Sequence, residues 1–103
     1  PDAARELAIV RRKCPGVPEA LAREIVAFTQ RVRALDLFKA PGIAETLDWA
    51  EALVLLDRVT LDPQAIADTA GVLLKYQDDI ARLDGGKVKS LIDDARAELR
   101  AAE

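Results

Sequence analysis

The sequence predicts an all-α protein, a compact bundle of about five helices. Three observations predict it. Hydrophobic residues are 50% of the 103, yet only four are aromatic, so Ala, Leu, Ile and Val supply the apolar mass. Those residues recur at alternating spacings of three and four, the period of a helix face. Pro-Gly or Gly-Gly pairs then divide the chain at Pro15-Gly16, Pro41-Gly42 and Gly85-Gly86. Val59-Thr60-Leu61 is the one stretch that reads as extended, and it is too short for a strand.

The first helix is expected from about Asp2 to Lys13, with Leu7, Ile9 and Val10 as its apolar residues. Arg11, Arg12 and Lys13 match the negative end of its dipole, and Cys14-Pro15-Gly16 stops it. The second starts near Pro18, a first-turn proline with Glu19 behind it, and is expected to end near Leu37. Leu21, Ile25, Phe28, Val32 and Leu35 form its inner stripe. The third opens at Pro41-Gly42 and runs to about Leu56. It carries two adjacent stripes, Ile43, Leu47, Ala50 and Val54 beside Trp49, Leu53 and Leu56, so it reads as the central helix or as one with a partner on each side. The fourth has the clearest start, with Asp62 as N-cap and Pro63 in the first helical position. Ile66, Ala70, Leu73 and Ile80 mark its inner face, with Tyr76 nearby. Gly71 within it costs about 1 kcal/mol relative to Ala, so a close helix–helix approach is expected there. After Asp84-Gly85-Gly86, a fifth helix runs from about Lys87 to Ala102 on Val88, Leu91, Ile92, Ala95 and Leu99. The intervening loops are short, so successive helices are expected to be neighbours.

Composition excludes several function classes. One domain is expected at this length. A net charge of −3 gives no footprint for nucleic acid or an anionic membrane. No apolar run approaches the roughly 20 residues of a membrane span, no signal peptide is visible, and the chain reads as cytoplasmic. Cys14 is the only cysteine and histidine is absent, which removes internal disulfides, Cys-based metal sites and the commonest general base. The absence of methionine suggests a fragment or a processed chain. No GxxxxGK[ST] loop is present, so this chain alone does not cradle a triphosphate. The carboxylate pairs Asp78-Asp79 and Asp93-Asp94 diverge by about 100° on a helix and read as solvated faces. Cys14, without a histidine partner, reads as a structural thiol. Arg11-Arg12-Lys13 reads as a helix C-terminal charge match rather than a phosphate contact.

Four stretches resemble the C-terminal helical lid of MoxR-type AAA+ ATPases. Pro1-Asp2-Ala3-Ala4-Arg5-Glu6-Leu7-Ala8-Ile9-Val10 is similar to the entry into the first lid helix. Cys14-Pro15-Gly16-Val17-Pro18, with Leu21-Ala22, resembles the turn and start of the second. Phe38-Lys39-Ala40-Pro41-Gly42-Ile43-Ala44-Glu45-Thr46-Leu47-Asp48-Trp49-Ala50 resembles the phrase K-x-P-G-x-x-E-x-L-D-W, and Leu73-Leu74-Lys75-Tyr76-Gln77-Asp78-Asp79-Ile80 the end of a later helix. The likeness covers residues 1 to about 82, an expected lid-like domain. Residues 83–103 match nothing in it and are expected to pack on the same domain as a C-terminal helix of unknown role.

The resemblance implies a lid that closes over ATP and Mg held by the AAA+ core of the same protein. It also implies contacts with neighbouring subunits of a ring, usually a hexamer, and chaperone-like remodelling or metal-cofactor insertion, often beside a von Willebrand A-type partner. The chain alone is then inactive and its parent an ATPase. AAA+ proteins place a sensor-2 cation at the start of the third lid helix. The obvious arginine is missing here, and Lys39, two residues before Pro41, is the nearest cation, so Lys39 is the expected γ-phosphate sensor. Otherwise it is a surface lysine, or one paired with Glu45 or Asp48. Ile9 stands where an apolar residue of the first lid helix packs near the adenine. No catalytic residue, metal ligand, nucleic-acid contact or membrane contact is expected in the chain itself. The competing reading is a free-standing helical interaction module, with no nucleotide link, that grips a partner helix with its Trp49 face. A small enzyme has no support without histidine or converging carboxylates.

Overall fold

The computed structural model describes residues 2–102, and in it most helix starts are fixed by an acidic side chain. Among these residues there are six α-helices and no strand, so the protein is all-α. Helix α1 (Ala3–Lys13) begins where Asp2 Oδ1 accepts the Arg5 N–H at 2.8 Å. Helix α2 (Glu19–Arg33) follows Pro18. Helix α3 (Ile43–Leu55) begins after Gly42, whose N–H donates to Glu45 Oε1 at 2.8 Å. Asp62 Oδ1 takes the Ala65 N–H at 2.7 Å to open α4 (Pro63–Leu73). Helix α5 (Gln77–Ala81) is short, and Asp84 caps α6 (Gly85–Ala101) through the Lys87 N–H at 3.0 Å. Each cap satisfies a donor that the helix itself leaves open. Pro1, at the head of the first lid-like stretch, and Glu103 lie outside the described residues.

Helix α2 is the hub, packing on α1, α3 and α6, while α4 packs on α3 and α6. Its stripe of Leu21, Ile25, Phe28 and Val32 has no solvent exposure. Trp49 of α3 is equally buried, its ring centroid 5.6 Å from that of Phe28. The indole N–H donates to Thr69 Oγ1 at 2.7 Å, and that hydroxyl donates in turn to the Ala65 carbonyl. The one polar atom of the largest core side chain is thereby satisfied. Helix α6 packs on α2 and buries Val88, Leu91, Ile92 and Ala95. Arg96 reinforces that contact, reaching Glu24 at 3.2 Å and the Leu61 carbonyl, while Glu24 also accepts the Leu61 N–H at 2.9 Å.

Several expectations are corrected. The expected fourth helix is two helices, α4 and α5. Leu74 (φ −116°, ψ 135°) and Tyr76 (φ −112°, ψ 138°) are extended between them. No glycine or proline marks this break. Tertiary burial drives it, because the extended residue lets Leu73 and Leu74 both enter the core, each 1% exposed. Tyr76 stays half exposed. Gly71 makes no close approach, since a Cβ there meets nothing within 4 Å. Helix α2 ends at Arg33, four residues before the expected end, although Leu35 and Leu37 still pack on the core. Leu56 is exposed rather than part of the α3 stripe, because α3 closes there through Asp57 at φ 56°. The Arg58 N–H bonds the Leu53 carbonyl and the Asp57 N–H the Val54 carbonyl, the paired bonds of a Schellman end.

Candidate functional site

Residues 36–41, between α2 and α3, make no backbone–backbone hydrogen bond among the described residues. Irregular backbone without a ladder needs other partners wherever water is shut out. Two charged side chains supply them. Asp79 of α5, 2% exposed, accepts the Phe38 N–H on Oδ1 at 2.8 Å and the Lys39 N–H on Oδ2 at 3.0 Å. Arg33, at the end of α2, donates from Nε to the Pro41 carbonyl at 2.6 Å. The segment that leads into α3 is thus held from both sides. Asp78-Asp79 is corrected accordingly: the two carboxylates do diverge, Asp78 to solvent, but Asp79 turns inward and is no part of a solvated face.

Arg33 is itself anchored by a buried carboxylate. Glu6 of α1 has no exposed surface and receives Arg33 Nη1 and Nη2, each at 2.7 Å, in a bidentate pair. Gln30 Nε2 (2.8 Å) and the Thr46 hydroxyl (3.0 Å) complete four hydrogen bonds to Glu6. Burial by itself raises the pKa of this carboxyl. The hydrogen bonds from Arg33, Thr46 and Gln30 and the Arg33 charge outweigh it, so the pKa lies below the ordinary 4.5. One cluster therefore ties α1, α2, the head of α3 and the Pro41 carbonyl together.

Within the pinned segment Leu37 packs on the core and Pro41 is buried, but Phe38 and Lys39 face outward. Phe38 is 80% exposed and stacks on Tyr76 with centroids 5.3 Å apart, and Lys39 is exposed. No ion pair involves Lys39 among the described residues, so neither Glu45 nor Asp48 neutralises it. Glu45 is instead spent on Gly42. Gly42 has no side chain to cap α3 in return, so the Glu45 carboxylate is the acidic group at the positive pole of this helix. Asp36, Asp78 and Arg82 line an open hollow on the Phe38 side, of which Lys39 is not a wall.

Ile9 is half-buried and lies outside the core cluster, unlike its neighbour Val10. No hydrogen bond joins it to the Lys39 segment. The link from α1 to that segment runs through Glu6, three residues away on the same helix. Cys14 is 6% exposed, and its thiol lies 3.8 Å from the Leu47 carbonyl and 3.9 Å from Glu51 Oε1. Burial, then the charge and hydrogen bond of Glu51 and the charge of Asp48, push the thiol up, which suppresses the nucleophilic thiolate. Among the described residues no group of three His, Cys, Asp or Glu side chains could hold a metal ion, and no helix is long and apolar enough to cross a membrane.

The residues that build this site are Glu6, Arg33 and Asp79, none of which stands out as a site residue in the sequence. The available signal is faint: Glu6 precedes Val10 by one helical turn, on the buried side, and a carboxylate there demands a buried cation. Comparisons of the chain with protein-family models, curated proteins and solved structures give no match.

Proposed function

We propose that this chain is the C-terminal lid of a MoxR-type AAA+ ATPase, closing over ATP and Mg held by the core domain of the same protein. One observation carries the reading beyond the sequence motifs: Lys39, exposed and in no ion pair among the described residues, stands on a backbone pinned at Phe38, Lys39 and Pro41, at the head of α3. A phosphate sensor requires an ammonium that no carboxylate has neutralised, on a backbone that does not yield when the anion arrives. Positive helix ends favour anions in the same way. In this reading Lys39 approaches the γ-phosphate and stabilises charge on the transferring group, while Ile9 packs on the adenine side. ATP then holds lid and core together, and hydrolysis releases them, passing the nucleotide state to neighbouring subunits of the ring. The parent works as a cytoplasmic chaperone-like remodeller or metal-cofactor inserter, beside a von Willebrand A-type partner.

A second reading, a free-standing helical interaction module, draws support from the exposed Leu55 (82%) and Val59 (68%). Its contact face is not Trp49, which is fully buried. The source gene separates the two readings. About 200 codons upstream, the span of one further domain, should encode a GxxxxGK[ST] loop followed by an acidic-ended strand. An initiator codon directly before Pro1 would remove the lid reading. Within the parent, Lys39→Ala should slow ATP turnover with the fold intact.

A further inference from the structure

We propose that Asp79 is a positioning residue for Lys39, acting through two consecutive backbone amides, with Arg33 as the second clamp on the same segment. The inference rests on the reading of Lys39 as a nucleotide-facing cation. A carboxylate 2% exposed is expensive to bury, and this one gives both oxygens to neighbouring N–H groups of a segment with no ladder of its own. Both bonds are charge-assisted, so each is short and directional. Together they fix the peptide planes that enter and leave Phe38, and with them the direction in which the Lys39 Cα–Cβ bond leaves the surface. Arg33 fixes the Pro41 carbonyl two residues on, and Glu6 holds Arg33 from both guanidinium nitrogens. Lys39 itself makes no side-chain hydrogen bond or ion pair among the described residues, so backbone geometry alone sets where its side chain is rooted and the volume its ammonium can sweep.

The arrangement explains the break between α4 and α5. The extended residues Leu74 and Tyr76 re-aim α5, and Asp79 is its buried residue. The same re-aiming seats Tyr76 against Phe38 at 5.3 Å, on the outer side of the clamp. A short helix with one buried carboxylate is thus used to hold a loop 40 residues earlier in the chain.

The test is Asp79→Asn. An asparagine keeps the shape but offers one acceptor oxygen, so one of the two amides loses its partner. In the full chain without nucleotide, the amide proton resonances of Phe38 and Lys39 should move upfield and exchange faster with solvent. Unchanged resonances at both positions would overturn the clamp. In the parent ATPase, Asp79→Asn should lower kcat for ATP by about 10- to 100-fold, the scale of a misplaced catalytic group. It should lower it no further when Lys39 is already alanine. Equal slowing in the Lys39 and Lys39→Ala backgrounds would overturn the positioning role, because the effect would then bypass the lysine. Normal turnover in Lys39→Ala alone would remove the nucleotide reading, an outcome the nucleotide-free amide measurement identifies separately. Should Asp79→Asn fail to fold, Asp79→Glu, which keeps the charge but displaces both acceptor oxygens by one methylene, tests the same coupling against Lys39→Ala.

Discussion

Replacing Glu6 with glutamine isolates the cluster on which the α1–α2–α3 contact depends. The substitution preserves volume and removes a charge. Its amide oxygen can still accept Arg33 Nη1 and Gln30 Nε2, as Glu6 Oε1 does now. Its NH2 then faces Arg33 Nη2, which lies 2.7 Å from Oε2, so two donors meet. Breaking a buried pair by changing one partner costs about 3–5 kcal/mol. Arg33 retains 20% side-chain exposure and its bonds to Pro41 and Thr46, which places the loss near the lower end, about 3 kcal/mol. At about 4–8 °C per kcal/mol for a domain near this size, the midpoint should fall by about 12–24 °C. The assay is urea and thermal unfolding followed by far-UV circular dichroism at neutral pH. The pH dependence supplies a second readout. The folded pKa of Glu6 is lowered below 4.5, so its contribution is complete above that value and lost as pH falls through the folded pKa. The gap between wild type and Glu6→Gln should therefore narrow below pH 4.5. A gap under about 0.5 kcal/mol at neutral pH, within the range of an ordinary surface change, would refute the reasoning. So would a gap that acid leaves untouched. The double variant Glu6→Met with Arg33→Met should still fall below wild type, because it leaves the Gln30 amide and the Pro41 carbonyl without their partners.

Three further outcomes follow from single positions. Gly71→Ala should raise stability by up to about 1 kcal/mol in denaturant titration, because the site is helical, exposed and open around the new methyl. Asp57→Gly should also stabilise, by about 0.5–1 kcal/mol, by relieving a left-handed φ of 56°, and a lower midpoint would count against that account. Trp49→Phe should cost about 2 kcal/mol, from core volume and the hydrogen bond to Thr69; calorimetry reads it, and a neutral result would mean the indole is not tightly held.

The fold was legible in the sequence where local chemistry decides it. Asp62-Pro63 announces α4, and the stripe from Leu21 to Val32 announces the buried side of α2. The break at Leu74–Tyr76 was not legible, because the periodicity of Ile66, Ala70, Leu73 and Ile80 is continuous, and the burial of both Leu73 and Leu74 and the acceptor that Asp79 gives to Phe38 and Lys39 are tertiary. The candidate site divides in the same way. Lys39 is marked by its neighbours Pro41 and Gly42, a local pattern. Its support Asp79 lies 40 residues away along the chain, a separation no local pattern encodes, and Arg33 reaches the segment at Pro41 rather than at the lysine. Asp79 in particular reads from sequence as half of an exposed acidic pair. Trp49 shows the converse error: a lone tryptophan on a wide apolar face suggests a binding surface, yet Phe28 and Thr69 absorb it completely.

The buried thiol gives the molecule a clock. Cys14 carries the only sulfur in the chain, since methionine is absent. It sits between the end of α1 and the middle of α3, with Leu47 and Glu51 over it. Cys14 also lines an open hollow with Lys13, Pro15, Val17, Glu51 and Val54, so only a disulfide reagent too large for that hollow must wait for the helices to part, and with such a reagent in excess the rate of mixed-disulfide formation counts separations rather than thiol reactivity. Helices held elsewhere by Glu6 must separate as a unit or fray from the Cys14 end. The dependence of capture rate on denaturant tells the two apart, steep for a global event and nearly flat for fraying.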